Sequence, residues 1–399
     1  MKRFNNLHEK VCELSNVWYA DELARKNKKK RWGIIKHDQN RERENLKLSE
    51  DLFNLTYSTS DYTTYKIYEP KERIIYRLPY YPDRICHHSI MNVLEPIWIK
   101  TFIDQTYSCI KNRGIHKLAN AIKKVLKKDV DGTKYCLKLD IKKFYPSINH
   151  DILLEIVKRK IKDKKLLTLL SEIIYSTDGV PIGNYLSQYF ANLYLSYFDH
   201  WLKEEVKVKY YFRYADDIVI LSDSKEHLRK VLILIKIYLK HILNLEIKSN
   251  YQVFPVDSRG IDFVGYVFYH THVLLRKSIK TKMFNLIQKY KSKKISRDEL
   301  IIRMQSYFGW LKHCNSKHLL QKIEEETHIH FSNWNGKECK RKFLYNKYVY
   351  LVELVPYKNY FELHFVYKNI PYFLKSEDWG LYMWIFKNYK TPCKFIWKK

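Results

Sequence analysis

The fold is decided by Tyr211-Phe-Arg-Tyr-Ala-Asp-Asp-Ile-Val-Ile-Leu221, in which two apolar runs flank the adjacent carboxylates Asp216 and Asp217. Runs of β-branched and aromatic residues form strands, so the pattern predicts a β-hairpin with both carboxylates at its turn. Adjacent carboxylates repel each other unless a cation lies beside them. Because Mg²⁺ takes oxygen ligands, the pair indicates a magnesium site, although the pair alone also fits a solvated surface turn.

A site that binds two metal ions needs a third carboxylate, because one Asp-Asp pair cannot hold both ions alone. The stretch Leu137-Lys-Leu-Asp-Ile141 supplies it, since Asp140 ends a short apolar strand. Asp140, Asp216 and Asp217 together match a two-metal phosphoryl-transfer site, in which the ions lie ~3.5–4 Å apart. In such a site one ion activates the attacking hydroxyl and the other stabilises the leaving oxygens.

Three motifs resemble those of reverse transcriptases, and their order along the chain also matches. Tyr214-Ala-Asp-Asp217 resembles the Tyr-x-Asp-Asp box of that family, and Leu139-Asp-Ile-Lys-Lys-Phe-Tyr-Pro-Ser-Ile148 looks like its first catalytic motif. Gly179-Val-Pro-Ile-Gly-Asn-Tyr-Leu-Ser-Gln188 looks like the motif between them. The resemblance covers residues 60–325, and the joint order and spacing are much more specific than any single four-residue match.

The resemblance implies an α+β right-hand polymerase with fingers, a palm that carries an antiparallel sheet, a helical thumb and a small, β-rich C-terminal domain. Asp140 and Asp216 would hold two Mg²⁺ ions, for which Mn²⁺ could substitute, and Asp217 would assist. The expected boundaries are 1–57 for a basic helical lead-in, 58–136 for the fingers, 137–277 for the palm, 278–327 for a thumb of three helices and 328–399 for a C-terminal appendage.

The segment Tyr65–Arg77 predicts two strands joined by a Pro-Lys-Glu turn, and in the family such a hairpin closes on the incoming deoxynucleoside triphosphate (dNTP). A triphosphate needs cations at its oxygens, and arginine can bind them bidentately. Arg73 is therefore the first candidate and Lys71 the second. An exposed charged hairpin without such a role is the alternative.

The resemblance gives roles to four further residues. Tyr145 would lie under the sugar of the incoming nucleotide and exclude a 2′-hydroxyl, with an ordinary core aromatic as the alternative. Gly183 opens a long helix, predicted to run to about Val206, and Gln188 in its first turn would contact the template–nucleotide pair. Lys248 matches a position proposed to protonate the leaving pyrophosphate, although a plain surface lysine is equally compatible.

Contacts to nucleic acid are expected at two further places. The loop Ser108–His116 resembles the one before a helix that tracks the template, which assigns Arg113 and His116 to nucleic-acid binding. The dense cationic run Arg25–Arg31 could bind an RNA backbone, or it could be a solvated face.

One position departs from the retroviral and group II intron pattern. Ile182 stands where those enzymes have Gln before the Gly. The pairing of Ile-Gly with Ser-Gln resembles diversity-generating retroelement enzymes and the bacterial defence-associated (unknown-group) reverse transcriptases. The departure bears on fidelity and not on the chemistry of the reaction.

The composition favours a polyanion as partner. The 399 residues include 73 Lys and Arg against 43 Asp and Glu, a net charge of +30, with 16% aromatic residues. Lys and Arg neutralise phosphates, and aromatic rings stack on bases. The seven cysteines are odd in number and form no Cys-x-x-Cys pair, which predicts a reduced, cytoplasmic protein. No apolar run fits a signal peptide or a membrane span.

The C-terminal residues 331–399 are rich in Tyr, Phe and Trp and contain strand-like runs such as Tyr348-Val-Tyr-Leu-Val-Glu-Leu354. They contain no recognisable nuclease motif, and an RNA-binding or oligomerising appendage is the hypothesis. His313, His318, His328, His330 and Cys339 have spacings that match no usual zinc site.

The predicted function is therefore RNA-directed DNA synthesis on a dedicated non-coding RNA in antiviral defence. The expected partners are a structured or template RNA, the cDNA product and dNTPs, and a homo-oligomer is left open. Three alternatives remain: mutagenic copying in a diversity-generating retroelement, template-independent DNA synthesis, and a maturase-like RNA-binding protein on an inactive polymerase fold.

Overall fold

The computed structural model describes residues 3–68 and 72–329, together with the backbone of three strands between 349 and 376. The chain divides into two compact units, one of residues 1–276 with 313–315 and the other of residues 277–312 with 316–399. Both units contain helices and antiparallel strands, so the fold is mixed α+β, as predicted.

Helices dominate the N-terminal part of the first unit, as the sequence predicts. They are α1 (His8–Cys12), α2 (Leu14–Arg25), α3 (Trp32–Asp38) and α4 (Arg41–Phe53). The antiparallel hairpin that follows consists of β1 (Thr63–Ile67) and β2 (Arg73–Arg77), with Tyr65 opposite Ile75. Two longer helices come next, α5 (Ile85–Ile99) and α6 (Ile115–Lys128), and α2 packs against α5.

A four-stranded sheet forms the centre of this unit. Its strands are β3 (Tyr135–Asp140), β4 (Tyr210–Tyr214), β5 (Asp217–Ser222) and β6 (Gln252–Pro255). Their order is β4-β5-β3-β6, and every pairing is antiparallel. The continuous apolar run Ile218–Leu221 is buried along its whole length, which is the pattern of a strand covered on both faces.

Further helices of the first unit come after β3 along the chain. They are α7 (His150–Lys158), α8 (Lys164–Ile174), α9 (Tyr185–Tyr194), α10 (Ser196–Glu204), α11 (Lys225–Leu243) and the short α12 (Val256–Arg259). The sequence predicts a basic amphipathic helix from Asn149 to about residue 162 and a Leu/Ile-rich helix from Ser224 to about Leu243, and a side-chain cap begins each of them. Asn149 accepts a hydrogen bond from the Ile152 amide at 3.0 Å, and Ser224 accepts one from the His227 amide at 3.2 Å. Each cap satisfies a backbone amide that has no partner inside the helix.

Two predicted helices are shorter than expected. The helix that begins after Asn149 ends at Lys158 and not near residue 162, because residues 160 and 162 exchange backbone hydrogen bonds with Phe4. The long helix expected from Gly183 to Val206 is divided into α9 and α10 at Leu195, where ψ is −2°. The Ser196 hydroxyl donates to the Leu193 carbonyl there, a local bond that competes with the helical ladder.

A small antiparallel sheet closes the first unit. It contains β7 (Ile261–Phe263), β8 (Tyr266–Phe268) and β9 (Val273–Leu275) in that order. The sequence predicts one hairpin here, and the structure contains two hairpins that share β8. The turn between β7 and β8 places Val264 and Gly265 at positive φ, which is the backbone geometry of a tight reversal.

The second unit begins with the three predicted helices, α13 (Lys277–Lys291), α14 (Arg297–Leu311) and α15 (Lys317–Thr327). Ser296 caps α14 by accepting from the Glu299 amide at 3.1 Å, as its sequence motif predicts. The backbone of β10 (Val349–Pro356), β11 (Phe361–Tyr367) and β12 (Ile370–Ser376) forms an antiparallel sheet. Across the described residues, no helix has both the length and the apolar character needed to cross a membrane.

Candidate active site

The three predicted carboxylates lie at one end of the central sheet. Asp140 is the last residue of β3, and Asp217, the first residue of β5, is directly opposite it in the antiparallel register. Asp216 lies in the turn between β4 and β5, after Ala215, whose φ is +54°. The structure therefore brings together side chains that are about eighty positions apart in the sequence.

These carboxylates repel one another. The pKa of Asp216 is raised to about 7, first by burial and then by the negative charges of Asp140 and Asp217. The pKa of Asp217 is also raised, by burial and by Asp140, whereas the nearby Lys138 and Lys248 oppose the shift. The site thus favours an added cation or an added proton.

A divalent metal ion fits this donor set. Oδ1 of Asp140 is buried, and it has no hydrogen-bond partner in the described part of the chain. No three acidic, His or Cys side chains among the described residues converge closely enough to hold a metal ion unaided. Mg²⁺ in phosphoryl-transfer sites is held by one or two carboxylates together with substrate phosphates, so a complete protein cage is not required.

Lys248 reaches the same carboxylate. Its ammonium group donates to Oδ2 of Asp140, and its backbone amide donates to the Asp140 carbonyl at 2.8 Å. A bridge between Ile141 and Ile247 holds the two segments side by side. Lys248 is therefore more than a surface lysine, and in the metal-free protein its charge partly balances the carboxylates.

A buried ion pair supports the turn that carries Asp216. The side chains of Arg213 on β4 and Asp199 on α10 are both 0% exposed. The guanidinium of Arg213 donates to Asp199 through Nε at 2.8 Å and to the Ala215 carbonyl through Nη1 at 2.9 Å. Thr106 also donates to Asp199 at 3.0 Å. Sequence reasoning missed this pair, although a charged residue inside an apolar strand is a signal of it.

Tyr145 lies beside the carboxylates in a short helical turn, Tyr145–Ser147, and is half-buried. The pKa of its hydroxyl is raised, mainly by burial and also by the charges of Cys109 and Asp216, while Arg213 and Arg73 act in the opposite direction. The neighbouring Phe144 is 3% exposed and belongs to the core. Tyr145 is therefore the aromatic residue of this pair that can contact a substrate.

The loop before α9 joins Tyr145 to the β1–β2 hairpin. The Val180 amide donates to the Tyr145 carbonyl at 2.9 Å, and the Tyr76 amide donates to the Ile182 carbonyl at 2.8 Å. Gly183 has φ +127°, and a Cβ atom there would lie 2.4 Å from the Tyr76 carbonyl oxygen. Only glycine tolerates both the backbone conformation and the close approach, so Gly183 sets the position of the hairpin against α9.

The structure describes two of the three remaining candidates for nucleotide binding, Arg73 and Gln188. Arg73 is exposed at the start of β2, and its charge opposes the rise in the pKa of the Tyr145 hydroxyl. Gln188 is exposed in α9. Lys71 lies outside the described residues.

Arg113 and His116, predicted to contact nucleic acid, are both engaged within the protein. Arg113 donates to the Ile103 carbonyl at 2.7 Å and pairs with Asp104 at 3.3 Å. The His116 ring shares a hydrogen bond of 3.1 Å with the Tyr266 hydroxyl and stacks on His313 at 4.2 Å. Both residues fix loops of the first unit, and their role towards nucleic acid stays a prediction.

His87 and His88 are adjacent in α5, and because adjacent residues of a helix diverge, the sequence favours structural roles for them over metal binding. His87 is buried, and the His88 ring stacks on Tyr185 at 4.3 Å. Residues 330 and 339, considered for zinc together with His313, lie outside the described residues.

In the metal-free protein, the contribution of Asp216 to stability is expected to increase as pH falls from about 7 towards 5. The pKa of Asp216, about 7 in the folded state, exceeds the value of about 3.9 expected for an unfolded chain, so the folded protein binds the proton more tightly. Buried His87 and His88, whose folded pKa values are about 3 and about 4, take up protons in this window only in the unfolded chain and oppose the trend, so Asp216→Asn provides the reference. The measurement is the difference in urea-unfolding free energy between wild type and variant, in a chelator, against pH. A pH-independent difference would contradict the assignment.

Comparison with known proteins identifies the family. The sequence pattern described as "Reverse transcriptase (RNA-dependent DNA polymerase)" matches residues 69–268, which is half of the chain. Protein YkfC of Escherichia coli K12 is 24% identical over 260 residues, covering 53% of this chain and 66% of YkfC. The retron Ec73 reverse transcriptase of Escherichia coli is 29% identical over 224 residues, covering 52% of this chain and 68% of that protein.

The matches with these two relatives thus span about two thirds of their lengths. Among solved structures, apo telomerase from Candida tropicalis, truncated from its C-terminal domain, superposes with a TM-score of 0.41 at 14% identity, over 54% of this chain and 55% of that one. The half of the chain matched by the family pattern contains Asp140, Asp216 and Asp217. The chain belongs to the reverse transcriptase (RNA-dependent DNA polymerase) family.

Proposed function

We propose that this protein copies RNA into DNA by adding deoxynucleotides to a primer 3′-hydroxyl. The observation that carries the proposal is the meeting of Asp140, Asp216 and Asp217 at one end of a buried sheet, where their mutual repulsion favours binding of a cation. Two Mg²⁺ ions, or Mn²⁺ in their place, would activate the hydroxyl and neutralise the charge of the leaving phosphates. A purified enzyme that extends a DNA or RNA primer on an RNA template would confirm the proposal.

The parts of the chain then take these roles. Asp140 and Asp216 hold the metal ions, and Asp217, whose pKa is raised by burial and by Asp140, assists them. Arg73 and Lys71 bind the triphosphate, while Gly183 fixes the hairpin that carries them. Since phosphoryl transfer requires little covalent chemistry from the protein, positioning and charge neutralisation account for the catalysis.

Four further residues are assigned roles towards the nucleotide, the pyrophosphate or the template. Gln188, exposed in α9, contacts the template–nucleotide pair. Lys248, whose ammonium contacts Asp140, would be the group that protonates the leaving pyrophosphate. Arg113 and His116 position the template indirectly, through the loops that they fix.

The proposed right-hand arrangement assigns 58–136 to fingers, 137–277 to palm and 278–327 to thumb. The division of the chain after Arg276, one residue from the proposed palm–thumb border, supports it. The antiparallel sheet β4-β5-β3-β6 supports the palm, and the helices α13 to α15 support the thumb. Residues 1–57 are the helical lead-in, and residues 328–399 form a C-terminal appendage that binds RNA or joins copies of the chain.

Trimming Tyr145 is expected to relax the selection of deoxynucleotides. In Tyr145→Ala, incorporation of ribonucleotides relative to deoxynucleotides should rise by about tenfold or more, because the ring no longer excludes the 2′-hydroxyl (a difference of at least ~1.4 kcal/mol). The ratio of kcat/KM values on one primer–template measures it. Tyr145→Phe keeps the ring and should retain the wild-type ratio. An unchanged ratio in Tyr145→Ala would move the gate to Phe144.

We also propose that the template is a dedicated structured RNA and that the biological role is antiviral defence. The net charge of +30 supports an extended RNA partner, and Ile182, with the Gly and Ser-Gln that follow, resembles defence-associated enzymes. One relative is a retron reverse transcriptase by name, which is compatible with a dedicated RNA. A diversity-generating retroelement and template-independent synthesis are the alternatives.

The test is to purify the protein from cells that carry its native locus, sequence the RNA that copurifies, and challenge those cells with phage. A discrete RNA and protection that disappears in Asp216→Asn are the expected results. Absence of a discrete RNA at moderate salt would contradict the partner. Protection that persists without the carboxylate would show that DNA synthesis is not what the cell uses for defence.

A further inference from the structure

An exposed basic loop with a tryptophan at its end lies apart from the three carboxylates. Residues 26–31 connect α2 to α3, and all six are exposed. Trp32, the first residue of α3, is 75% exposed, and the ammonium of Lys36 lies 5.5 Å from its ring centroid. A large aromatic ring left in solvent among cations has the composition of a platform for single-stranded nucleic acid.

Hydrogen bonds of Arg25 and of the loop backbone order residues 26–31. Arg25 is 5% exposed, and it donates to Asp21 on the same helix and to Asp38, at the end of α3, at 2.6 Å. Within the loop, the Lys28 amide donates to the Arg25 carbonyl and the Arg31 amide donates to the Lys28 carbonyl, both at 2.9 Å. Arg25 is thereby withdrawn from the basic run seen in the sequence, and the other cations are preorganised.

Four cations of this region act on one another. The pKa of Lys28 is lowered by burial and then by Arg84 and Arg31, and the pKa of Arg84 is lowered by burial and then by Arg77 and Arg31. In the part of the chain that the structure describes, none of these four side chains forms an ion pair with an acid. Cations gathered without acidic partners create a positive potential that attracts phosphate.

Side-chain contacts connect this region to the start of α9. Lys28 and Arg84 also act on His88, whose pKa is lowered to about 4 by burial and then by these two charges. The His88 ring stacks on Tyr185, the first residue of α9, at 4.3 Å. The loop that precedes α9 contacts both the β1–β2 hairpin and Tyr145. Contacts within the first unit thus link the neighbourhood of Lys28 and Arg84 to the loop beside Tyr145.

We propose that residues 26–31, with Trp32 and Lys36, bind the single-stranded part of the template RNA before it is copied. Trp32 stacks on a base, and Lys28 and Arg31 bind neighbouring phosphates. A single strand is favoured over a duplex because only unpaired bases expose their faces to an aromatic ring. The naming of the strand as template rests on the proposed function, whereas the binding itself requires no catalysis.

The test measures binding of the full chain to a labelled, unstructured RNA in a chelator, by fluorescence anisotropy, alongside a blunt RNA duplex. Trp32→Ala should weaken single-strand binding about tenfold and leave duplex binding unchanged, whereas Trp32→Tyr should restore it. The double variant Lys28→Gln with Arg31→Gln should reduce the salt slope by about 1.4, since each phosphate contact in a single strand contributes about 0.7. Because Trp32 is exposed, its replacement leaves the core intact.

Matched controls lie elsewhere on the first unit. Phe53→Ala removes an aromatic ring that is 52% exposed, and Lys236→Gln with Lys240→Gln removes two exposed charges of α11. Both should bind RNA as the wild type does. If Trp32→Ala behaves like Phe53→Ala, or if strand and duplex weaken equally, the inference is wrong. Trp32-dependent binding to phosphatidylserine vesicles with unchanged RNA binding would assign the surface to a membrane instead.

The two proposals can fail separately. An enzyme that extends primers normally but binds single strands independently of Trp32 would overturn this inference and leave the proposed function in place. A protein that binds single strands through Trp32 yet extends no primer would overturn the proposed function alone.

Discussion

Asp216→Asn is expected to reduce nucleotide incorporation by more than about a thousandfold, with no loss of RNA binding. Loss of one oxyanion donor costs about 10²–10³ in other enzymes, and here a ligand of the metal ion that activates the reaction would be lost. The carboxylate contributes nothing favourable to the metal-free fold, because burial and its neighbours raise its pKa. The variant should therefore melt at a higher temperature than wild type in a chelator and gain less from added Mg²⁺.

Asp223→Asn is the matched control for this experiment. Asp223 follows the far end of β5, is exposed, and accepts a hydrogen bond from Ser222 at 2.9 Å. The substitution makes the same change in charge and volume just beyond the opposite end of β5, and it should leave both activity and Mg²⁺ stabilisation unchanged. Substantial DNA synthesis by Asp216→Asn, with Mg²⁺ or Mn²⁺, would overturn the site.

The sequence predicts the carboxylate end of the sheet because local pattern and motif agree there. The alternation of strand and turn in residues 211–221 defines the hairpin, and the apolar run that ends at Asp140 defines the strand beside it. Their pairing places Asp140 opposite Asp217, as the proposed shared metal site requires. The three helices α13 to α15 and the β1–β2 hairpin were predictable for the same reason.

The sequence alone does not reveal which side chains contact one another when they are far apart along the chain. Lys248 reaches Asp140 across 108 positions, and no local pattern distinguishes such a lysine from a solvated one. Arg113 has the residue type of a phosphate ligand, but a carbonyl and Asp104 in its own loop engage it. The break at Leu195 is invisible as well, because both flanking helices keep apolar residues at helical spacing.

The turn of the active site is expected to depend on a pair of charges that never contacts substrate. Arg213→Met leaves the carboxylate of Asp199 buried without its cation, which typically costs about 3–5 kcal/mol in unfolding free energy. The double variant Arg213→Met with Asp199→Leu removes both charges and should recover much of this stability. Arg229→Met, at an exposed position of α11, is the control and should change stability by less than about 0.5 kcal/mol.

Measuring polymerase activity distinguishes a role of Arg213 in positioning Asp216 from a role in stabilising the fold. The double variant regains a neutral core, but it still lacks the hydrogen bond from Arg213 to the Ala215 carbonyl, 2.9 Å long in the wild type. Ala215 has φ +54°, a strained conformation for a residue with a Cβ atom, so the turn should relax when this contact is lost. Asp216 would then move away from Asp140, and the affinity for Mg²⁺ should fall. Polymerisation should remain at least about tenfold below wild type, since displacements of about 1 Å reach 10²-fold elsewhere.

Arg213→Lys provides the last comparison in this series. Lysine retains the positive charge beside Asp199, but a single ammonium lacks the fork that serves Asp199 and Ala215 together. Its stability should lie between those of wild type and Arg213→Met, while its activity should stay as low as that of the double variant. Measurements of unfolding free energy and of Mg²⁺-dependent primer extension on the same four proteins decide the matter. If activity follows stability throughout, the ion pair only holds the core together, and the hydrogen bond to Ala215 does not position Asp216.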